Sequence, residues 1–172
     1  MQPATAYVMI EKTPGVAAGR FMKETGEKTM DLAQAKQMLA EQDLTCIIFR
    51  EDVIYSSSQR GVKPLLALID TDKDCRDFSA VDKVVGKAAA FLYVLMGIRE
   101  LHAGVISEQA LRVLKEHEVQ VTYDRLAAYI VNRAGDGRCP METAVWDIGD
   151  CQEALEAVRR KVRELAQKGD AK

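Results

Sequence analysis

The chain has no CxxC pair, no excess of basic charge, no secretory signal and no apolar stretch long enough to span a bilayer. Each absence excludes something. Its four cysteines, Cys46, Cys75, Cys139 and Cys151, are widely spaced. That spacing argues for free thiols in a cytoplasmic protein rather than a paired zinc or redox motif. The 24 Lys and Arg against 26 Asp and Glu leave a net charge of −2, so no global basic field favours nucleic acid. The N-terminus lacks a basic region followed by an apolar run, so no signal peptide is expected. The apolar run over residues 88–96 is too short, and too near Lys83, Lys87 and Arg99, to cross a membrane. What is present is ordinary for one soluble domain with a sizeable core: 172 residues, 48% hydrophobic and 29% charged.

The chain is organised around residues 82–108, DKVVGKAAAFLYVLMGIRELHAGVISE. Apolar residues recur at Val84, Val85, Ala88, Ala89, Leu92, Leu95 and Met96, a helical period that predicts a helix capped by Asp82. Ala90, Phe91, Tyr93 and Val94 make its other faces apolar too, so it is expected to be buried on most sides, with Gly97 as its stop. Lys83 and Lys87 fall four residues apart at its start. Cations there oppose the helix dipole, whereas free backbone N–H groups favour anions. The two lysines therefore either complete an anion pocket or extend their ammonium groups to solvent. Residues 101–106 read as a buried strand. Ser107 then caps a helix with Glu108 in its first turn. Ala110, Leu111, Leu114 and His117 are expected inside that helix, and Arg112, Lys115 and Glu116 outside. In an open α/β sheet, ligands bind where strand ends meet helix N-termini. Two such starts, at Asp82 and Ser107, are expected at one sheet edge.

Residues 1–30 hold one short apolar run, 7–10, among Pro14, Gly15, Gly19 and Gly26. They read either as a flexible extension or as an added edge strand. Asp31 caps a helix with Leu32, Ala35, Met38 and Leu39 facing inward. Residues 44–50 and 53–56 flank the turn Glu51-Asp52 as a β-hairpin. Pro64 falls in the first turn of a short helix. Arg60 and Lys63 beside it either contact an anion or belong to a solvated loop. Residues 78–81 and 119–123 read as short strands, and 126–131 as a short helix or turn. After the turn formers Gly135, Asp136 and Gly137, Cys139 precedes Pro140 and is placed at an N-cap. A helix start with Arg138 adjacent is a position that activates thiols; the alternative is a structural cap with Met141 packed inward. Asp150 and Glu153 form a capping pattern. They open a helix to about Lys168 whose stripe, Leu155, Val158, Val162 and Leu165, packs on its own domain or on a partner subunit. Arg159, Arg160, Lys161 and Arg163 form its solvated face.

The order is helix, hairpin, helix, strand, helix, strand. With GVKPLL, DKVVGKAAA, ISEQAL, YDRLAAYIVNR and CPME, the sequence resembles DUF1893, a bacterial and archaeal family of unknown function whose fold is similar to cytidine deaminase. The resemblance covers about residues 31–145 and leaves out the N-terminal arm and the last helix. It implies an α/β fold of three layers, α/β/α, around a mixed sheet of about five strands. It also implies that the zinc of the deaminases is missing. Their ligands are a His or Cys beside a Glu at one helix start and a Pro-Cys-x-x-Cys at the next. The matching stretches here read VVGKAAA and SEQALRV, and His102 and His117 have no cysteine or carboxylate at ligand spacing. No metal or cofactor is expected. Hydrolytic deamination is disfavoured, because nothing remains to activate the water.

The expected function is a zinc-free deaminase-like domain over residues 31–146. It would bind a small anionic or nucleotide-like ligand at the helix starts through Asp82, Lys83, Lys87, Ser107 and Glu108, with Arg60 and Lys63 as further contacts. Lys87 and Glu108 are either an acid–base pair or a structural ion pair. Cys139 is a third catalytic candidate, for thiol chemistry. The alternative is a regulatory or scaffold module acting as a homo-oligomer without catalysis, through the C-terminal helix in residues 147–172. Neither a membrane nor nucleic acid is an expected partner.

Overall fold

The structure, a computed structural model, describes residues 7–9, 20–24, 29–51, 53–71 and 73–169. The question of a flexible arm over the rest of residues 1–30 lies outside the described residues. In chain order the elements are β1 (Tyr7–Met9), β2 (Arg20–Glu24), α1 (Leu32–Glu41), β3 (Cys46–Arg50), β4 (Val53–Ser57), α2 (Lys63–Ile69), β5 (Ser79–Val85), α3 (Lys87–Leu95), β6 (Glu100–Ser107), α4 (Glu108–Glu116), β7 (Gln120–Ala127), α5 (Pro140–Ala144) and α6 (Cys151–Gly169). One seven-stranded sheet runs β1-β2-β4-β3-β5-β6-β7. The expected five strands are β3 to β7, and the short run near residue 7 adds an edge through β2. The sheet is mixed. β3 pairs antiparallel with both β4 and β5, whereas β5, β6 and β7 run parallel, with α3 and α4 as their crossovers.

Two apolar clusters define three layers. On one face α1 packs Ala35, Met38 and Leu39 against Ile47, Phe49, Ile54 and Val81. Asp31 caps α1 as expected, in a capping box with Gln34. On the other face α2, α3, α4 and α6 share the larger cluster with Ile48, Tyr55, Ala80, Val85, Leu101 and Ile106. Helix α3 is its centre: Lys87 to Tyr93 are all buried. Gly97 ends it at φ +72°, a left-handed position that favours glycine. Helix α6 buries Ala154, Leu155, Ala157 and Val158 against the same cluster, with Val162 partly buried beside them, while Leu165 at the far end of the stripe is 41% exposed. No helix among the described residues is long and apolar enough to cross a membrane.

Three expectations need correction. The central helix does not start at Asp82: β5 continues to Val85, and α3 begins only at Lys87 after Gly86. Val84 and Val85 satisfy a helical period, but β-branched residues also favour strands, and pairing with β6 decided between the two. Of the two readings of residues 126–131, a short helix or a turn, the helix does not form. Leu126 and Ala127 extend β7, and the next residues form a turn closed by a bridge between Val131 and Arg138. In α4 the buried residues are Ala110, Val113 and Leu114, while His117 is the exposed C-cap. Apart from these, the side-chain alternation of β5 and β6 is not strict. Ala80 and Val85 of β5 join the same cluster, as do Ala103 and Ile106 of β6, although each pair is an odd number of residues apart. Both strands shift phase together near Lys83 and Gly104. There the Lys83 carbonyl oxygen lies 2.8 Å from where a Cβ on Gly104 would sit. A glycine allows that approach of two backbones, and the shift leaves Val84 47% exposed.

Candidate functional site

Strands β5, β6 and β7 deliver three chain ends to one edge of the sheet. Val85 and Ile106 are register partners, so the start of α3, at Lys87 and not at the expected Asp82, lies beside the start of α4. Ser107 caps α4: it is fully buried, and its Oγ accepts the Ala110 N–H at 3.1 Å. Glu108 in the first turn is exposed.

The other start is filled from within the chain. Glu142, only 1% exposed, accepts the Lys87 backbone N–H on Oε1 at 3.1 Å and the Ile130 N–H on Oε2 at 2.6 Å. Its carboxylate thus sits where an external anion would sit at a helix N-terminus. Gly86 leaves the room: a Cβ there would lie 3.1 Å from Ile130 and 3.6 Å from the Glu142 carboxylate. The Lys87 ammonium donates to the Trp146 carbonyl and lies 5.6 Å from the Phe91 ring centroid, so its bond is to this carbonyl and not to Glu108. Burial lowers its pKa, against the charge of Asp147.

The remaining expected residues lie elsewhere. Asp82 is a buried strand residue, not a cap. Its Oδ2 accepts the Tyr93 hydroxyl at 2.7 Å and its Oδ1 the Val84 N–H at 2.9 Å. Burial pushes its carboxyl up to about 6. Lys83, on the same strand, pairs with Asp43 at 2.8 Å and holds that exposed carboxyl below its usual range, with a smaller contribution from the Arg60 charge. Arg60 and Lys63 are exposed on the loop and first turn of α2, on the antiparallel side of the sheet. Only Lys87, Ser107 and Glu108 of the expected set therefore share the α3–α4 edge. Cys139 is the N-cap of α5, but its thiol makes no capping bond. Instead its backbone N–H donates to the Ile130 carbonyl at 2.7 Å.

Three residues at this edge were not read from the sequence as contacts of the site. Glu142 is one; its place three residues after the cap of a proline-started helix was the available signal, since that position commonly carries a carboxylate that reaches back. The others are Arg138 and Trp146. The Arg138 guanidinium carbon lies 3.5 Å from the Trp146 ring centroid and 5.5 Å from that of Tyr129. Its Nε is buried without a hydrogen-bond partner. Nothing in sequence spacing brings residues 129, 138 and 146 together.

A zinc ion does not fit the donors at the two helix starts. Gly86, Lys87 and Ala88 stand at one, Ser107, Glu108 and Gln109 at the other, with no imidazole or thiol among them. Both Glu142 oxygens already accept backbone N–H groups. Among the described residues no three His, Cys, Asp or Glu side chains converge as a metal site would require.

The sequence model of a family described as a domain of unknown function, DUF1893, matches residues 34–162. The chain belongs to this family. The match extends through most of α6, beyond the limit near residue 145 expected above. Among solved structures, the DUF1893 chain shares its fold with a DUF1893 family protein from Thermotoga maritima. That pair is 28% identical with a TM-score of 0.71, over 80% of this chain and 95% of the other. A diaminohydroxyphosphoribosylaminopyrimidine deaminase/5-amino-6-(5-phosphoribosylamino)uracil reductase of the same organism overlaps 46% of this chain and 29% of its own, at 9% identity and a TM-score of 0.36; so low a score supports no argument. No curated protein matches the chain.

Proposed function

We propose that this DUF1893 chain binds a small anionic, nucleotide-like ligand at the α3–α4 edge of its sheet. The observation that carries the reading is Arg138. Its guanidinium carbon lies 3.5 Å from the Trp146 ring centroid, its Nε is buried without a partner, and Tyr129 stands beside it, 41% exposed. A guanidinium held by an indole is rigid, and its two terminal N–H₂ groups match a carboxylate or phosphate in bidentate fashion. The exposed Tyr129 ring offers a face for a planar ligand. The buried Lys87 supports this platform through the Trp146 carbonyl and does not meet the ligand itself. Glu142 fills the α3 start, which moves the anion away from Asp82 and Lys83 and towards Arg138. No reaction is assigned to the edge.

The test is a thermal-shift screen of the purified chain against nucleoside phosphates and phosphorylated metabolites. Ligand binding to the native state stabilises by mass action, about 2.7 kcal/mol at a hundredfold excess over Kd. A melting-temperature rise lost in Arg138→Ala, with the unliganded melt unchanged, supports the reading. No rise with any phosphate, or a rise that survives Arg138→Ala, defeats it.

A second reading, the homo-oligomeric scaffold, draws support from β7. This eight-residue strand is unpaired on its outer side among the described residues, and Tyr123 and Leu126 on it are 41% and 43% exposed. Natural edges of that length are usually covered or charged. Light scattering checks it: a dimer mass that Leu126→Lys reduces to one chain is expected, and a single-chain mass at all concentrations rules it out.

A further inference from the structure

Outside that edge, α4 ends where α6 begins, and the junction holds a thiol and an imidazole in contact. Cys151 Sγ lies 3.6 Å from His117 Nε2. The other ring nitrogen, Nδ1, lies 2.9 Å from the Val113 carbonyl. A carbonyl only accepts, so Nδ1 carries the proton and Nε2 of the neutral ring is bare. The Cys151 thiol is thus placed as donor to a base whose tautomer is fixed by a third group, the geometry of an activated nucleophile. The two helix ends act in the same sense. His117 is the C-cap of α4, where a positive charge is favoured, and Cys151 is the first residue of the 19-residue α6, where a negative charge is favoured. Both ends therefore stabilise the pair after the proton has moved from sulfur to nitrogen. The site is open, since Cys151 is only half-buried and His117 is exposed.

We propose that Cys151 and His117 form a thiol–imidazole pair that reacts with hydroperoxides, making Cys151 an oxidative modification site of this protein. In the step, the Cys151 sulfur attacks the terminal peroxide oxygen as its proton passes to His117 Nε2. An S–O bond forms and the O–O bond breaks. The imidazolium returns the proton to the departing alkoxide or hydroxide, giving an alcohol or water and a cysteine sulfenic acid. Sulfur is oxidised by two electrons and the peroxide is reduced by two. Burial, then the charge of Asp150, pushes the Cys151 thiol up. The thiolate is therefore not standing in advance, and the base is needed at the moment of attack. The other three thiols lack this arrangement. Cys46 and Cys75 are buried, and Cys139 is half-buried with no imidazole in contact.

The experiment treats the full chain with hydrogen peroxide below one equivalent, traps sulfenic acid with dimedone and reads each cysteine peptide by mass spectrometry. Cys151 is expected to label at least tenfold faster than Cys139. His117→Gln, a change at an exposed cap, is expected to remove that advantage while the far-ultraviolet spectrum and thermal melt stay as in the parent chain. Asp150→Asn keeps a capping side chain for α6 and removes the opposing charge, so it is expected to speed labelling of Cys151. Equal labelling of Cys139 and Cys151 in the parent chain overturns the proposal. So does a His117→Gln variant that labels as fast as the parent.

Discussion

Glu142→Ala is expected to cost roughly 3–5 kcal/mol of folding stability, the largest loss anticipated for a single polar residue here. The carboxylate accepts two backbone N–H groups, from Lys87 and Ile130, at a site that is 1% exposed. Hydrogen bonds to a charged group contribute about 1.5–3 kcal/mol each, and a buried donor left without an acceptor costs about 1–3 kcal/mol. The two donors belong to segments far apart in sequence, the start of α3 and the turn after β7, while Glu142 itself comes from α5. Its loss therefore releases three segments together. Glu142→Gln keeps one acceptor oxygen but turns an amide N–H₂ towards the second donor, so roughly half of the loss is expected. Urea unfolding at constant slope measures both variants. Hydrogen exchange locates the damage, because the Lys87 and Ile130 amides should exchange faster than those of β6. A loss below about 1 kcal/mol in the alanine variant, with those amides still protected, contradicts this account.

Asp82→Asn is expected to do the opposite at neutral pH. Asp82 lies in the core between β5 and α3, bonded to Tyr93 and Val84, and burial raises its carboxyl from 3.8 to about 6. The native state therefore holds the proton more tightly than the unfolded chain. Between about pH 4 and pH 6 the native state carries more protons, so the contribution of Asp82 to stability falls as pH rises through that window. The shift corresponds to about 3 kcal/mol, since one unit is worth about 1.36 kcal/mol. This penalty is fully present above the raised value and absent below the unfolded one. An asparagine carries no charge to desolvate. Its oxygen still accepts from Val84, and its amide donates to the Tyr93 hydroxyl, which accepts as readily as it donates. The variant should thus be more stable than the parent by about 1–3 kcal/mol at pH 7.5. The advantage should disappear near pH 4. Urea unfolding of both proteins across this range tests it, and the difference isolates Asp82. Carboxylates such as Asp43 and Asp124, held below their usual range by Lys83 and by His102, contribute equally to both chains. A difference that does not vary with pH would sink the prediction.

Much of the fold was legible because local signals and tertiary packing agreed. Asp31 with Gln34, Ser107 with Ala110 and Asp150 with Glu153 each cap the helix that their spacing announced. The hairpin around Glu51 and the all-round burial of α3 were equally plain. The errors fell where two periods fit the same residues. Val84 and Val85 suit the last turn of a strand or the first turn of a helix, and this ambiguity moved Asp82 from a cap to the core. The proposed site was legible only as a place, the edge where β5 and β6 end. Its contents were not. Glu142 answers Lys87 across 55 residues, and Trp146 answers it across 59; the pairing of Cys151 with His117 spans 34. Such contacts leave no periodicity.

The sequence by itself determined the class of fold, the order of most elements, the membership of DUF1893 and the lack of zinc ligands at the two helix starts. The elements follow from caps and period, which act over a few residues, whereas the family and the fold class it implies follow from motifs such as DKVVGKAAA and CPME that resemble DUF1893. Only the tertiary structure decided that the α3 start is filled by the Glu142 carboxylate, that Arg138 lies on Trp146, and that Cys151 rather than Cys139 meets an imidazole. The physical reason is that burial and hydrogen-bond satisfaction are settled between segments distant in the chain. A buried backbone N–H or ammonium takes whichever acceptor the packed layers bring to it.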